Sequence, residues 1–262
     1  MFGFEGVEFL MLGKFVKSLT TVGLAAGLLA CGGAMASAAP NPEPKVETYI
    51  VGGTRADWNT VSYATQLNYG GDLQCSASLI GPSWVLTAKH CVEDDPAATA
   101  YSVNVGSHLL GEGRNVPVSN VYTWDQGDVA LVELATPQQG RYGKLGADRP
   151  TPGTVGDIYG WGTTSLGGPA SPVLKTAWVQ ITGSDTNGWP GPATILKGLD
   201  GQALHGDSGG PLVVNGKIVG VGAGFANDAQ SSTMGERNGT LEYASVPAAA
   251  TWITATTGIP TT

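Results

Sequence analysis

Residues 205–211 read His-Gly-Asp-Ser-Gly-Gly-Pro, which sets Ser208 in a tight turn with glycine on both sides. Glycine reaches backbone conformations closed to other residues and leaves room for a substrate to approach. A hydroxyl presented this way can attack a carbonyl while neighbouring N–H groups receive the negative oxygen. Taken alone, the run also fits a plain turn between strands. A serine hydroxyl is weakly nucleophilic until a base takes its proton, and the chain has 3 histidines to supply one. His205 directly precedes the turn and His108 lies in a Gly/Leu loop, so the best base is His90, in Thr87-Ala88-Lys89-His90-Cys91. That base needs an acceptor on its far nitrogen to fix the tautomer and stabilise the imidazolium. Asp128 opens the apolar run 129–134 and fits that role, whereas Asp125 has no apolar run directly after it.

The elements that must hold these groups read as β-structure. From Val61 onward, short β-rich segments alternate with turn residues and no helical period is sustained. Strands are predicted at 79–80, 84–87, 102–105, 116–122, 129–134, 155–159 and 177–181. The clearest hairpin joins 212–214 to 217–221 through Asn215-Gly216, which suits a type I′ turn. Only the end reads as helix, with Ser245 as N-cap and Pro247 in the first turn. Val246, Ala249, Ala250 and Ile253 share one face, and Gly258 and Pro260 stop it. Many short, evenly spaced strands argue for all-β barrels, with a single β-sandwich as the composition-level alternative. No internal repeat is present, and the glycines of 220–224 are too strand-like for a phosphate loop.

Composition places the chain among ordinary globular proteins: 262 residues, 42% hydrophobic and 13% charged. A net charge of −8 gives no reason to expect nucleic-acid or anionic-lipid binding. Residues 1–39 read as an export signal, with Lys14 and Lys17 ahead of the largely apolar run 19–30. Small residues then offer cleavage after Ala36 or Ala38. Met11 is a second candidate start, and the run ending at Cys31 weakly matches a lipoprotein box. Removing the signal removes Cys31 and leaves one pair, Cys75 and Cys91, which in a secreted chain reads as a disulfide. A zinc site on Cys75, His90 and Cys91 fits no usual ligand spacing and lacks a fourth ligand.

Taken in order, the histidine stretch, residues 128–134 and the serine turn resemble the histidine, aspartate and serine motifs of the chymotrypsin/trypsin family. Cys75-Ser76-Ala77-Ser78-Leu79-Ile80, Gly160-Trp161-Gly162 and the closing 243–253 extend the resemblance over roughly residues 50–255. It implies an all-β fold of two six-stranded antiparallel β-barrels with a C-terminal α-helix. The peptidase domain would then span 50–262, with barrels at about 50–145 and 146–262. The implied activity is a secreted serine endopeptidase, with His90, Asp128 and Ser208 as triad and the N–H groups of Gly206 and Ser208 as oxyanion hole. Ile50-Val51-Gly52-Gly53 resembles the N-terminus freed when such proteases are activated, making 40–49 an activation peptide. Cleavage at Tyr49–Ile50 would release an α-ammonium on Ile50 to pair with Asp207. The implied partners are protein or peptide substrates, an activating protease and protein inhibitors. No metal, cofactor, nucleic acid or, once the signal is gone, membrane is called for. The alternative is a non-catalytic binding protein on the same scaffold.

Several positions depart from the family pattern. Ala223-Gly224-Phe225 stands where a serine, which supports the catalytic aspartate, and Trp-Gly are usual. Gln202 stands where trypsin-like members carry the aspartate of the specificity pocket, which argues against a strong Lys or Arg preference. Asp200 could serve there only if the loop bulges. Phe225 and Leu241 would make the pocket shallow, favouring small apolar residues, whereas Tyr49 at the activation site suggests an aromatic preference.

Overall fold

The computed structural model describes residues 50–262, apart from 94, 96, 187–190 and 226–232. The leader and activation-peptide expectations for residues 1–49 lie outside the described residues. The described residues open with two short strands, β1 (Val51–Gly52) and β2 (Thr54–Arg55), and a one-turn helix, α1 (Trp58–Val61), which Asp57 caps by accepting from the Asn59 N–H. Asp57 supplies the side-chain acceptor that makes so short a helix worthwhile.

Six strands follow: β3 (Ala64–Tyr69), β4 (Asp72–Gly81), β5 (Trp84–Thr87), β6 (Tyr101–Val105), β7 (Arg114–Thr123) and β8 (Ala130–Leu134). They close an antiparallel barrel in the order β3-β4-β5-β8-β7-β6. Its interior is apolar, with Leu67, Leu79, Leu86, Val103 and Leu131 all buried.

The second half comprises β9 (Val155–Gly160), β10 (Lys175–Asp185), β11 (Ala193–Gly198), β12 (Gly201–Gln202), β13 (Pro211–Val214), β14 (Lys217–Gly224) and β15 (Thr240–Ser245), then α2 (Val246–Thr257). Six of these strands run β11-β15-β14-β13-β9-β10, and the β10–β11 pairing closes the ring into a second barrel. β10 can pair on both sides because it is long: residues up to Gln180 face β9, and those from Val179 face β11. Its alternation is clean, with Ala177, Val179 and Ile181 in the core and Trp178 outside. The expected turn at Asn215-Gly216 joins β13 to β14 with φ of 51° and 73°, the left-handed conformations that a type I′ turn needs.

β1 and β2 come first in the chain but pair with the second half, β1 with β12 and β2 with β10. The halves are also strapped by a bridge between Leu109 and Val173 and by one between Leu145 and Ile218. α2 has the expected ends: Ser245 accepts from the Ala248 N–H, and Gly258 takes a left-handed C-cap with φ of 73°. Val246, Ala249 and Ile253 turn inward, while Ala250 is only partly covered. No helix among the described residues is long and apolar enough to cross a membrane.

Candidate active site

His90 follows β5 directly, in a 3-10 turn spanning Lys89–Cys91. The disulfide between Cys91 and Cys75 ties this turn to β4, closing a loop of 16 positions. With both sulfurs joined, neither is available as a thiolate ligand for a metal. Asp128 sits just before β8, in a turn closed by the Trp124 N–H on the Val129 carbonyl at 2.9 Å. Its carboxylate is 4% exposed and meets His90 twice. Oδ1 accepts from the His90 backbone N–H at 2.9 Å, and Oδ2 lies 2.8 Å from Nδ1. A carboxylate can only accept, so Nδ1 carries a proton and the neutral ring keeps its lone pair on Nε2. Nε2 lies 3.7 Å from Cys91 Sγ, a disulfide sulfur with no proton to give.

Ala223, where the family usually carries a supporting serine, is buried in the core, and among the described residues the hydrogen bonds to Asp128 come from His90.

The serine turn comes from the second barrel and abuts the first. The Ser208 carbonyl accepts from the Ser76 N–H on β4 at 2.9 Å, and the Gly209 N–H donates to the Gly222 carbonyl at 2.8 Å. Gly209 has φ of 77°, and a methyl group there would overlap Thr87 Oγ1 and the Ser76 carbonyl. The residue after Ser208 therefore rests on the strand end that leads into His90. Gly206 has φ of 91°, in the region that favours glycine.

Asp207 is 1% exposed and lies in a slot cut by Gly160 and Gly162, where any side chain would overlap its carboxylate. Its oxygens accept from the Gly162 N–H at 2.7 Å and the Leu204 N–H at 2.9 Å. Burial pushes its pKa up to about 7, against the downward pull of those two amides. Ile50 is fully buried in the second barrel's core, alongside Ile158, Leu212 and Tyr243.

At the pocket positions, Gln202 is fully buried and Oε1 accepts from the Gly235 N–H at 2.7 Å. Its Nε2 packs against Gly239, where a methyl group would have no room. Gly224 pairs with Glu242 across β14 and β15, and half-buried Phe225 packs on the second core. Asp200 is engaged elsewhere, its Oδ1 accepting from the Trp178 N–H at 2.7 Å. The structure thus brings His90 to Asp128, sets the 206–210 turn against 76 and 87–88, and leaves Asp200 on the outer face of the second barrel.

Two features escaped the sequence reading: the Gly160/Gly162 slot, and Ser76, whose buried hydroxyl bonds to residues 85 and 130 positions away. Both stretches belong to recognisable motifs, but nothing local marks their function.

Two antiparallel barrels with a histidine–carboxylate pair on one and a glycine-flanked serine turn from the other define a two-barrel serine protease scaffold. A family model described as Trypsin matches residues 50–253. The chain is 34% identical over 196 residues to an "Uncharacterized peptidase" of Corynebacterium glutamicum (strain R), covering 72% of this chain and 66% of that one. It is 31% identical to "Trypsin" of Simulium vittatum, over 74% of this chain and 90% of that protein. Among solved structures, mouse neuropsin, a serine protease, superposes with a TM-score of 0.64 at 26% identity, covering 78% of this chain and 98% of that one. The chain belongs to the trypsin family of serine endopeptidases.

Proposed function

We propose that this protein hydrolyses peptide bonds through an acyl-enzyme on Ser208. The supporting observation is the doubly bonded Asp128–His90 pair, which leaves the basic lone pair on Nε2, together with the packing of the serine turn on the strand end that leads into His90. In this reading Ser208 Oγ attacks the carbonyl carbon while its proton passes to His90 Nε2. The oxyanion is received by the N–H groups of Gly206 and Ser208. His90 then gives its proton to the leaving amine, whose C–N bond breaks. Water attacks the acyl carbon, losing a proton to His90, which returns it to Ser208 as the acid leaves. The test is labelling with a serine-reactive phosphonate. Wild type should form a stoichiometric adduct that Ser208→Ala abolishes, alongside cleavage of a peptide mixture. An adduct of equal size in Ser208→Ala overturns the reading, and no adduct with no cleavage favours a non-catalytic binding protein.

The same reading makes the protein an exported precursor. Residues 1–39 direct export, 40–49 are removed, and the Ile50 ammonium pairs with Asp207. Buried Ile50 and the charge-starved pocket of Asp207 support this switch. N-terminal sequencing of active material should begin at Ile50; a start within 39–45 contradicts it. Substrates are proteins or peptides. The neutral amide of Gln202 supports a preference other than Lys or Arg, read by cleavage-site profiling of the processed enzyme.

A further inference from the structure

We propose that Ser76 is a positioning residue that holds the oxyanion turn in its working orientation, an inference that rests on the acyl-enzyme reading. Ser76 is 1% exposed, and its hydroxyl, N–H and carbonyl make four hydrogen bonds. Its hydroxyl donates to the Gly206 carbonyl at 2.9 Å and accepts from the Trp161 N–H at 3.1 Å. Its N–H donates to the Ser208 carbonyl at 2.9 Å, and its own carbonyl accepts from Thr87 Oγ1 at 3.2 Å.

Peptide planarity converts these bonds into orientation. In a trans peptide the N–H points opposite to the C=O of the same plane. Directing the Gly206 carbonyl at Ser76 aims the Asp207 N–H away from it, and that N–H is found on the Leu204 carbonyl at 3.0 Å. The preceding plane is held from the second barrel, where the Thr163 N–H donates to the His205 carbonyl at 2.8 Å. This turns the Gly206 N–H the other way, as an oxyanion donor requires. The plane after Ser208 is fixed by the Ser76 N–H. Ser76 therefore holds two peptide planes of the turn, 206–207 through its hydroxyl and 208–209 through its backbone, and these neighbour the planes that carry the Gly206 and Ser208 N–H groups. Gly206 has φ of 91° and no side chain to resist a peptide flip, so the turn depends on hydrogen bonds, of which the one from Ser76 comes from outside it. Through Cys75 the same residue is joined to Cys91, next to His90.

The test compares wild type with Ser76→Ala, which keeps Cβ and removes only the hydroxyl, and with Ser76→Gly, whose larger gap a water can fill. Turnover is expressed per phosphonate-titrated site. Ser76→Ala should lower kcat roughly tenfold or somewhat more, below the 10²–10³ loss for outright removal of an oxyanion donor, with KM nearly unchanged. A peptide aldehyde, whose adduct places an oxyanion in the hole, should weaken by a similar factor. Amide exchange over residues 203–210 should quicken, and Ser76→Gly should fall between wild type and Ser76→Ala. A kcat within twofold of wild type overturns the proposal. So does a loss in which KM and aldehyde binding do not follow the expected split. If wild type itself cleaves no peptide, the acyl-enzyme reading fails, and the exchange comparison still decides whether Ser76 orients the turn.

Discussion

The environment of Asp207 predicts that cleavage before Ile50 changes how stability depends on pH. In the described structure the partners of this carboxylate are two backbone amides, and burial raises its pKa from 3.8 to about 7. Below pH 4 the group is protonated in both folded and unfolded states and contributes no pH dependence. Between about 4 and 7 the unfolded chain ionises while the folded chain keeps its proton, so stability falls as pH rises. About three units of pKa correspond to on the order of 4 kcal/mol, complete once the pH exceeds about 7. A new α-ammonium beside Asp207 would offset the desolvation and remove most of that loss while it stays charged. The experiment uses Ser208→Ala, to prevent self-digestion, in uncleaved form and after cutting before Ile50 with an added protease. Urea denaturation at pH 5 and pH 8 gives two differences in unfolding free energy. The uncleaved form should lose on the order of 3 kcal/mol between the two, the part of the fall that lies between pH 5 and about 7, and the cleaved form little. Other titrating groups, such as half-buried Asp157 with its raised pKa, are common to both forms and cancel. Asp207→Asn should flatten the uncleaved curve. Equal pH differences in the cut and uncut proteins would refute the reasoning.

Three further expectations follow from the same geometry. Asp128→Asn leaves one acceptor oxygen for two His90 N–H groups and no longer enforces the Nδ1–H tautomer, so kcat should fall on the order of 10⁴ with KM little changed, as read by steady-state kinetics. Replacing Cys75 and Cys91 together by alanine should cost about 3 kcal/mol in urea denaturation, given a loop of 16 positions, and should lower kcat by loosening the His90 turn. Gly162→Ala forces a methyl group into the Asp207 carboxylate, whereas Gly216→Ala meets nothing within 4 Å and strains only its own φ of 73°. The first should abolish phosphonate labelling; the second should keep it and cost about 1 kcal/mol in a thermal melt.

What could be read in advance from the chain depended on the range of the physics involved. Proton transfer restricts residue type, so the proposed triad of His90, Asp128 and Ser208 stands out wherever its members lie in sequence. β10 was legible at its centre because one face is buried and the other wet, which writes a period of two into 177–181. The Asn215-Gly216 turn was legible because few residues accept positive φ. β11 and β15 were not, because Ala193–Gly198 and Thr240–Ser245 mix small and polar residues, and their pairing is set by closure of the second barrel. The same holds for β1 and β2, whose partners lie in the other half of the chain.

Ser76 is the extreme case. A buried serine between Cys75 and Ala77 in a strand looks like filler, because its hydroxyl acts only through carbonyl and amide groups that exist in every residue. No side-chain type at 161 or 206 is needed for those bonds, so no pattern of residue types can reveal them. Chemistry that uses side chains leaves a trace in composition and spacing. The orientation of backbone groups leaves one only where glycine must yield space, as at 160, 162 and 209. If the acyl-enzyme reading holds, the reacting atoms of this site were largely legible from residue types, while the scaffold that aims its N–H donors was not.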